Sequence, residues 1–236
     1  MIGLYLAASG AAATLSALSN VSDNLANLST PGFKRILSEA QSVGGNGSPY
    51  QFAASGQSPV IDTAQGPLQA TNNPMDVAVS GPGFITVQGP NGTAYTRNGT
   101  LAVQSDGTLT AAGYPVLTQG GGTISIKTSG NLVIGGNGSV SVNGQQIAEI
   151  AMAEPAPGTK MVSLGASLYR AADGEDLTPA TNSQIHQGFL EGATGSEIGE
   201  MTSMLSMMRN YEASMKAVQN IDSGQSQVIQ AFTLQA

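Results

Sequence analysis

His186 is the only histidine in the 236-residue chain. A Ser-His-Asp relay or an imidazole metal site would have to be built around it alone. It stands in Ser183-Gln184-Ile185-His186-Gln187, a polar stretch that suits an ordinary surface or interface histidine. No Gly-x-Ser-x-Gly elbow occurs, and the absence of cysteine excludes disulfides, thiolate metal sites and thiol nucleophiles. Gly122-Thr123-Ile124-Ser125-Ile126-Lys127-Thr128 has the outline of a phosphate loop but lacks the glycine before the lysine, and Ile124 and Ile126 alternate as in a strand. Gly81-Pro82-Gly83 runs into a β-type stretch and not into a helix N-terminus, which rules out a dinucleotide turn. Asp173, Glu175 and Asp176 are carboxylates that could meet Ca²⁺, yet the other positions of an EF-hand loop are missing, and they read as a solvated acidic loop. The expectation is a protein with no catalytic residue, no cofactor and no metal.

The remaining polar residues of interest are two amides, Asn24 and Asn27, late in an apolar helix, where they can cap or register neighbouring helices. Leu4, Ala8, Ala11, Leu15, Leu18 and Leu25 around them follow four-three spacing, with Ser22 as the polar member, which is a heptad seam. At the other end Met201, Met204, Met208, Tyr211, Met215, Val218, Ile229 and Phe232 keep the same rhythm, interrupted by Asp222 and Gln225. Two such seams can bury each other or a neighbour's copy. The expected assembly interface is therefore Leu4, Ala8, Ala11, Leu15, Leu18, Asn24, Leu25 and Asn27 with Met201, Met204, Met208, Tyr211, Met215 and Val218. Small side chains at Ala7, Ala8 and Ala11 to Ala13 allow close approach, and flexible methionines adapt to different surroundings.

Composition agrees with covered surfaces. Only 10% of residues are charged, against about 25% in an average soluble domain. The net charge is −7 and no basic cluster is longer than Lys34-Arg35, so nucleic acid has no electrostatic footprint here. The apolar N-terminus lacks the basic region of a secretory signal, since the first Lys or Arg is Lys34. Ser9, Gly10, Thr14, Ser16, Ser19 and Asn20 break up any membrane span. If the chain leaves the cytoplasm, the expectation is a route that cleaves no signal peptide, and no membrane insertion is expected.

The spacing predicts a first helix from about Leu4 to Leu28, stopped by Pro31-Gly32. Residues 36 to 70, rich in Gly, Ser and Pro, read as a linker. From Met75 the period changes to two, and turn signals at Asn98-Gly99, Asp106-Gly107, Asn137-Gly138 and Asn143-Gly144 separate short strands. The expected class is α+β: a discontinuous helical, coiled-coil domain from both termini (1–35 and 190–236), a connection over 36–70, and an inserted mainly-β body over 71–189, as a sandwich or open barrel.

Ser22-Asp23-Asn24-Leu25-Ala26-Asn27-Leu28-Ser29-Thr30-Pro31-Gly32-Phe33-Lys34 resembles the N-terminal signature of bacterial flagellar rod, hook and hook-associated axial proteins. Asn73-Pro74-Met75-Asp76-Val77-Ala78-Val79, Gly81-Pro82-Gly83-Phe84, Tyr95-Thr96-Arg97-Asn98-Gly99 and Gly113-Tyr114-Pro115-Val116-Leu117 are similar to the body of the rod and hook proteins. Gly188-Phe189-Leu190-Glu191-Gly192, Arg209-Asn210-Tyr211-Glu212 and Lys216-Ala217-Val218 resemble the closing helix and its approach. Ala193-Thr194-Gly195-Ser196 departs from the Asn-containing run usual there. The resemblance implies a structural subunit of the periplasm-spanning flagellar rod, with other rod subunits, copies of itself and the type III export apparatus as partners. The short interval from Arg35 to Gly66 favours a proximal-rod subunit, with a distal-rod or hook-like subunit as the alternative within the family. A non-flagellar secreted surface protein is the alternative outside it.

Overall fold

The computed structural model describes residues 2–38, 42–43, 52–53, 59–127 and 130–233; side chains are described within these ranges except at 2–8, 42–43, 52–53, 222 and 225–233. The chain divides into two compact units. One comprises residues 1–25, 38–58 and 197–236, the other residues 26–37 and 59–196.

The first unit holds two helices, α1 (Ile2–Ala26) and α2 (Glu197–Thr233), and a short antiparallel pair, Ser42–Val43 with Phe52–Ala53. At 37 residues, α2 is about 55 Å long. Its first turn carries Glu197 and Glu200, acidic side chains that complement the positive end of the helix dipole. Hydroxyls inside both helices are satisfied by bonding back one turn: Thr14 Oγ1 donates to Gly10 O at 2.8 Å, Ser22 to Leu18 O at 2.9 Å and Ser214 to Asn210 O at 2.9 Å. The predicted start at Leu4 and end at Leu28 are each two residues late.

The second unit is a body of antiparallel sheets. Its largest has eight strands in the order Ile36–Leu37, Val60–Ile61, Met161–Gly165, Leu168–Ala171, Gly92–Thr96, Phe84–Gly89, Met152–Glu154, Thr178–Pro179. Two three-stranded sheets cover Leu101–Val103, Leu109–Ala111 and Tyr114–Pro115, and Leu132–Ile134, Ser139–Val142 and Gln145–Glu149. The core gathers buried side chains from these strands, from the pair Val77–Ser80 and Gln184–Gln187 and from their connections, among them Val77, Val79, Ile85, Val87, Leu109, Val116, Val140, Ile150 and Ile185. Asn143 and Gly144 both take positive φ, 52° and 82°, as the tight hairpin turn between Ser139–Val142 and Gln145–Glu149 requires.

The interval 36–70 differs from the predicted linker. Ile36–Leu37 and Val60–Ile61 pair with each other and enter the large sheet, and Leu68–Ala70 pairs with Phe189–Glu191. Glycine, serine and proline dominate the middle of the interval and conceal the β-branched and aliphatic residues at its two ends. Gly44 to Pro49 and Ser55 to Ser58, on which the linker reading rested, lie outside the described residues.

Candidate functional site

On α1, Ala11, Val21 and Asn24 are buried, Thr14, Leu18 and Leu25 are half-buried, and Leu15 is 54% exposed. On α2, Glu200 is buried, and Met204, Met207, Tyr211, Met215, Val218 and Ile221 are half-buried. Met201 and Met208 are exposed, together with Ile198 at 78% and Leu205 at 58%. The series read from the sequence thus mixes two rows of side chains. Ala11, Leu18, Leu25, Met204, Tyr211, Met215 and Val218 lie on the covered rows, whereas Leu15, Met201 and Met208 face outward on this chain. Apolarity alone selects Leu15 over Thr14 and Met201 over Glu200, and the covered rows include polar residues. The side chains of Leu4 and Ala8, like those of Ile229 and Phe232, lie outside the described residues.

The two amides separate. Asn24 Nδ2 donates to Glu200 Oε2 at 3.4 Å, joining the end of α1 to the start of α2 through two buried side chains. Asn27 instead closes the turn after α1: its carbonyl accepts from Thr30 N at 3.0 Å and its Oδ1 from Thr30 Oγ1 at 3.3 Å.

Sequence reasoning missed the strongest polar arrangement in the body. Lys34, Arg97 and Glu191 are fully buried. Lys34 Nζ donates to Glu191 Oε1 at 2.7 Å and to the carbonyl of Ala64; Arg97 Nη1 donates to Glu191 Oε2 at 3.0 Å. The carboxylate also accepts from Gly66 N, at 2.7 Å from Oε1. Arg97 also donates to Val79 O and Gly81 O, at 3.2 and 2.6 Å, and its guanidinium lies 4.7 Å from the centre of the Phe84 ring. Burial holds both cations below their ordinary pKa values, opposed by Glu191. Tyr169 completes the arrangement, its hydroxyl donating to Gly32 O at 3.2 Å and accepting from Lys34 N at 2.8 Å; burial pushes its pKa up.

Local backbone geometry makes this clasp possible. Gly32 turns the chain with φ +67°, and its N–H donates to Glu191 O at 2.7 Å. A Cβ there would come within 2.1 Å of the Arg97 carbonyl carbon, so only glycine fits. Thr194, in the run that departs from the family pattern, donates its N–H to Phe33 O at 3.0 Å and accepts from Arg35 N on its hydroxyl at 2.8 Å. The only sequence signal for the clasp is that each of its three charges sits inside one of the words quoted for the resemblance.

The residues considered for chemistry do not converge. His186 is exposed on the strand Gln184–Gln187, its ring edge-on to Phe189 at 6.4 Å. Asp173 and Glu175 lie on an exposed loop, and Asp176 accepts from the Tyr95 hydroxyl at 3.3 Å. Ile124 is buried between Thr123 and Ser125, each bridged to another segment, so residues 123–125 of the phosphate-loop outline are extended chain. Among the described residues no group of three or more His, Asp or Glu side chains could hold a metal ion.

Long helices drawn from both ends of the chain, and an antiparallel body closed by a buried ion cluster, define a structural subunit. Residues 4–34 match the family described as flagella basal body rod protein, residues 78–142 the flagellar hook protein FlgE/F/G D1 domain, and residues 186–231 the flagellar basal body rod FlgEFG protein C-terminal region. The chain belongs to the flagellar basal-body rod and hook family, whose proteins are structural and not enzymes. It is also 33% identical over 75 residues to the flagellar basal-body rod protein FlgF of Caulobacter vibrioides, an alignment covering 32% of this chain and 31% of that protein. The chain therefore matches about a third of that relative's length. Lys34, Arg97 and Glu191 fall one in each of the three matched segments.

Proposed function

We propose that this chain is an axial subunit of the bacterial flagellar rod, assembling helically with copies of itself and with other rod subunits through its terminal helices. The observation that carries the reading is the exposed apolar row of α2. Ile198, Met201, Leu205 and Met208, at 78, 51, 58 and 44% exposure, recur at three-four spacing along one face. Burying such a row removes apolar area from water at about 25 cal/mol per Å², and a neighbouring helix is the partner its spacing suits. Coiled-coil packing of the two ends, a helical domain over 1–35 and 190–236, and delivery through the flagellar export apparatus belong to the same proposal. Among the described residues no helix is long and apolar enough to cross a membrane.

A proximal position is supported by the FlgF likeness and by the short interval from Arg35 to Gly66. Electron microscopy of isolated basal bodies carrying a labelled copy tests it, with a label at the distal end favouring the distal-rod alternative. For assembly itself, Leu18→Asp and Leu205→Asp each place a charge where burial leaves it without a partner. Both are expected to abolish incorporation into rods while the body's thermal transition stays in place. Normal rods from both variants would exclude assembly through these helices.

A further inference from the structure

We infer that residues 184–194 form a closing strap and that Glu191 is the lock that holds back closure of the body until the strap has docked. The strap runs antiparallel along segments more than a hundred residues earlier. Gln184 to Gln187 pair with Ser80 to Val77, and Phe189 to Glu191 with Ala70 to Leu68. Gly192 N then donates to Pro67 O at 2.8 Å, and Thr194 N to Phe33 O at 3.0 Å. Its buried apolar side chains are Ile185, beside Val77 and Val79 in the main core, and the small Ala193.

Hairpins such as Phe84–Gly89 with Gly92–Thr96, and Leu101–Val103 with Leu109–Ala111, are local and form transiently, but an isolated hairpin is marginal in water and gains lasting protection only when the body closes over it. Arg97 follows directly on one of them and is buried over Phe84 when the body is closed. Lys34 is buried on the same carboxylate. Among the described residues, Glu191 is the carboxylate in ion-pair contact with both cations. A body that closed without the strap would bury two cations with no such partner, which depresses its population by roughly two to three orders of magnitude. The core and the strap must then close as one event. This inference concerns only the body and stands apart from the proposed axial role.

Pulse-labelled hydrogen exchange during refolding of the full chain, read by mass spectrometry over residues 84–117 and 184–194, tests it. In the unaltered chain both regions are expected to gain protection in one phase. In the charge-free variant Lys34→Met/Arg97→Met/Glu191→Met, residues 84–117 should become protected at least about tenfold sooner than 184–194, because no charge waits for the strap. Ordinary cooperativity would keep the regions together with or without the charges, so one shared phase in the triple variant overturns the lock. Early protection of 84–117 in the unaltered chain overturns it as well. Should the triple variant not refold, Glu191→Gln decides: slowing of both regions by about tenfold or more supports the lock, and an unchanged rate for 84–117 overturns it.

Discussion

The clasp in the body and the outer face of α2 invert the usual placing of charge and apolar surface. Lys34, Arg97 and Glu191 are ionisable and fully buried, while Ile198, Leu205, Met201 and Met208 are apolar and exposed. Each clasp charge has a named partner within the body. The α2 row has apolar side chains facing outward instead. The body pairs its buried charges with one another, although Arg97 Nε is buried without a hydrogen-bond partner among the described residues, so its stability should respond to changes in the clasp and ignore changes on the helix face. Assembly should respond in the opposite way.

The largest break in this contrast is Glu191→Ala. It leaves two buried cations unpaired and should destabilise the body by about 3–5 kcal/mol, seen as a lower midpoint in denaturant. A loss under about 1 kcal/mol would mean that the cations escape to water or shed their protons at little cost. Tyr169→Phe comes next. It strands Lys34 N and Gly32 O and should cost about 1–3 kcal/mol.

Tyr169 also sharpens the contrast through pH. Its folded pKa is raised above the ordinary value of 10.0, so at higher pH the unfolded chain releases a proton that the folded body keeps. Stability then falls as pH rises above 10, by up to about 1.4 kcal/mol per pH unit for this group. Lys34, lowered from 10.5, acts in the other direction: between its folded value and 10.5 the unfolded chain binds the extra proton, and stability rises with pH. Unfolding curves of the unaltered and Tyr169→Phe proteins across the alkaline range should show a shallower loss in the variant. Equal slopes would remove Tyr169 from the account.

Smaller still, Leu205→Asp should change the body's stability by less than about 0.5 kcal/mol while rods fail to incorporate it. His186→Ala is expected to do neither, leaving stability and motility as they were. Lost motility in an exported, folded His186→Ala chain would reopen the question of chemistry at that position.

The helices were legible because apolar spacing is local. A heptad rhythm at each end locates α1 and α2 to within a few residues. The choice of row was not, since Thr14 and Glu200 are covered while Leu15 and Met201 are not, and apolarity cannot tell a buried row from an outward one. The clasp was illegible for a different reason. Its members are separated by 63 and 94 positions, and no periodicity spans such gaps. Strands at Val60–Ile61 and Leu68–Ala70 were hidden by the glycine and proline content of the segment around them, and their partners lie far along the chain.

Gly32, Gly66 and Gly99 set a boundary on how this chain can diverge. A Cβ at these positions would come within 2.1 Å of the Arg97 carbonyl carbon, 2.1 Å of Gly192 O and 1.7 Å of Val77 O. Those neighbours are main chain, which no side-chain repacking can move aside. The three charges can in principle be exchanged together for apolar residues of similar volume. The glycines have no such alternative, so a descendant of this chain could lose every ion of the clasp and still carry its outline in three hydrogen atoms.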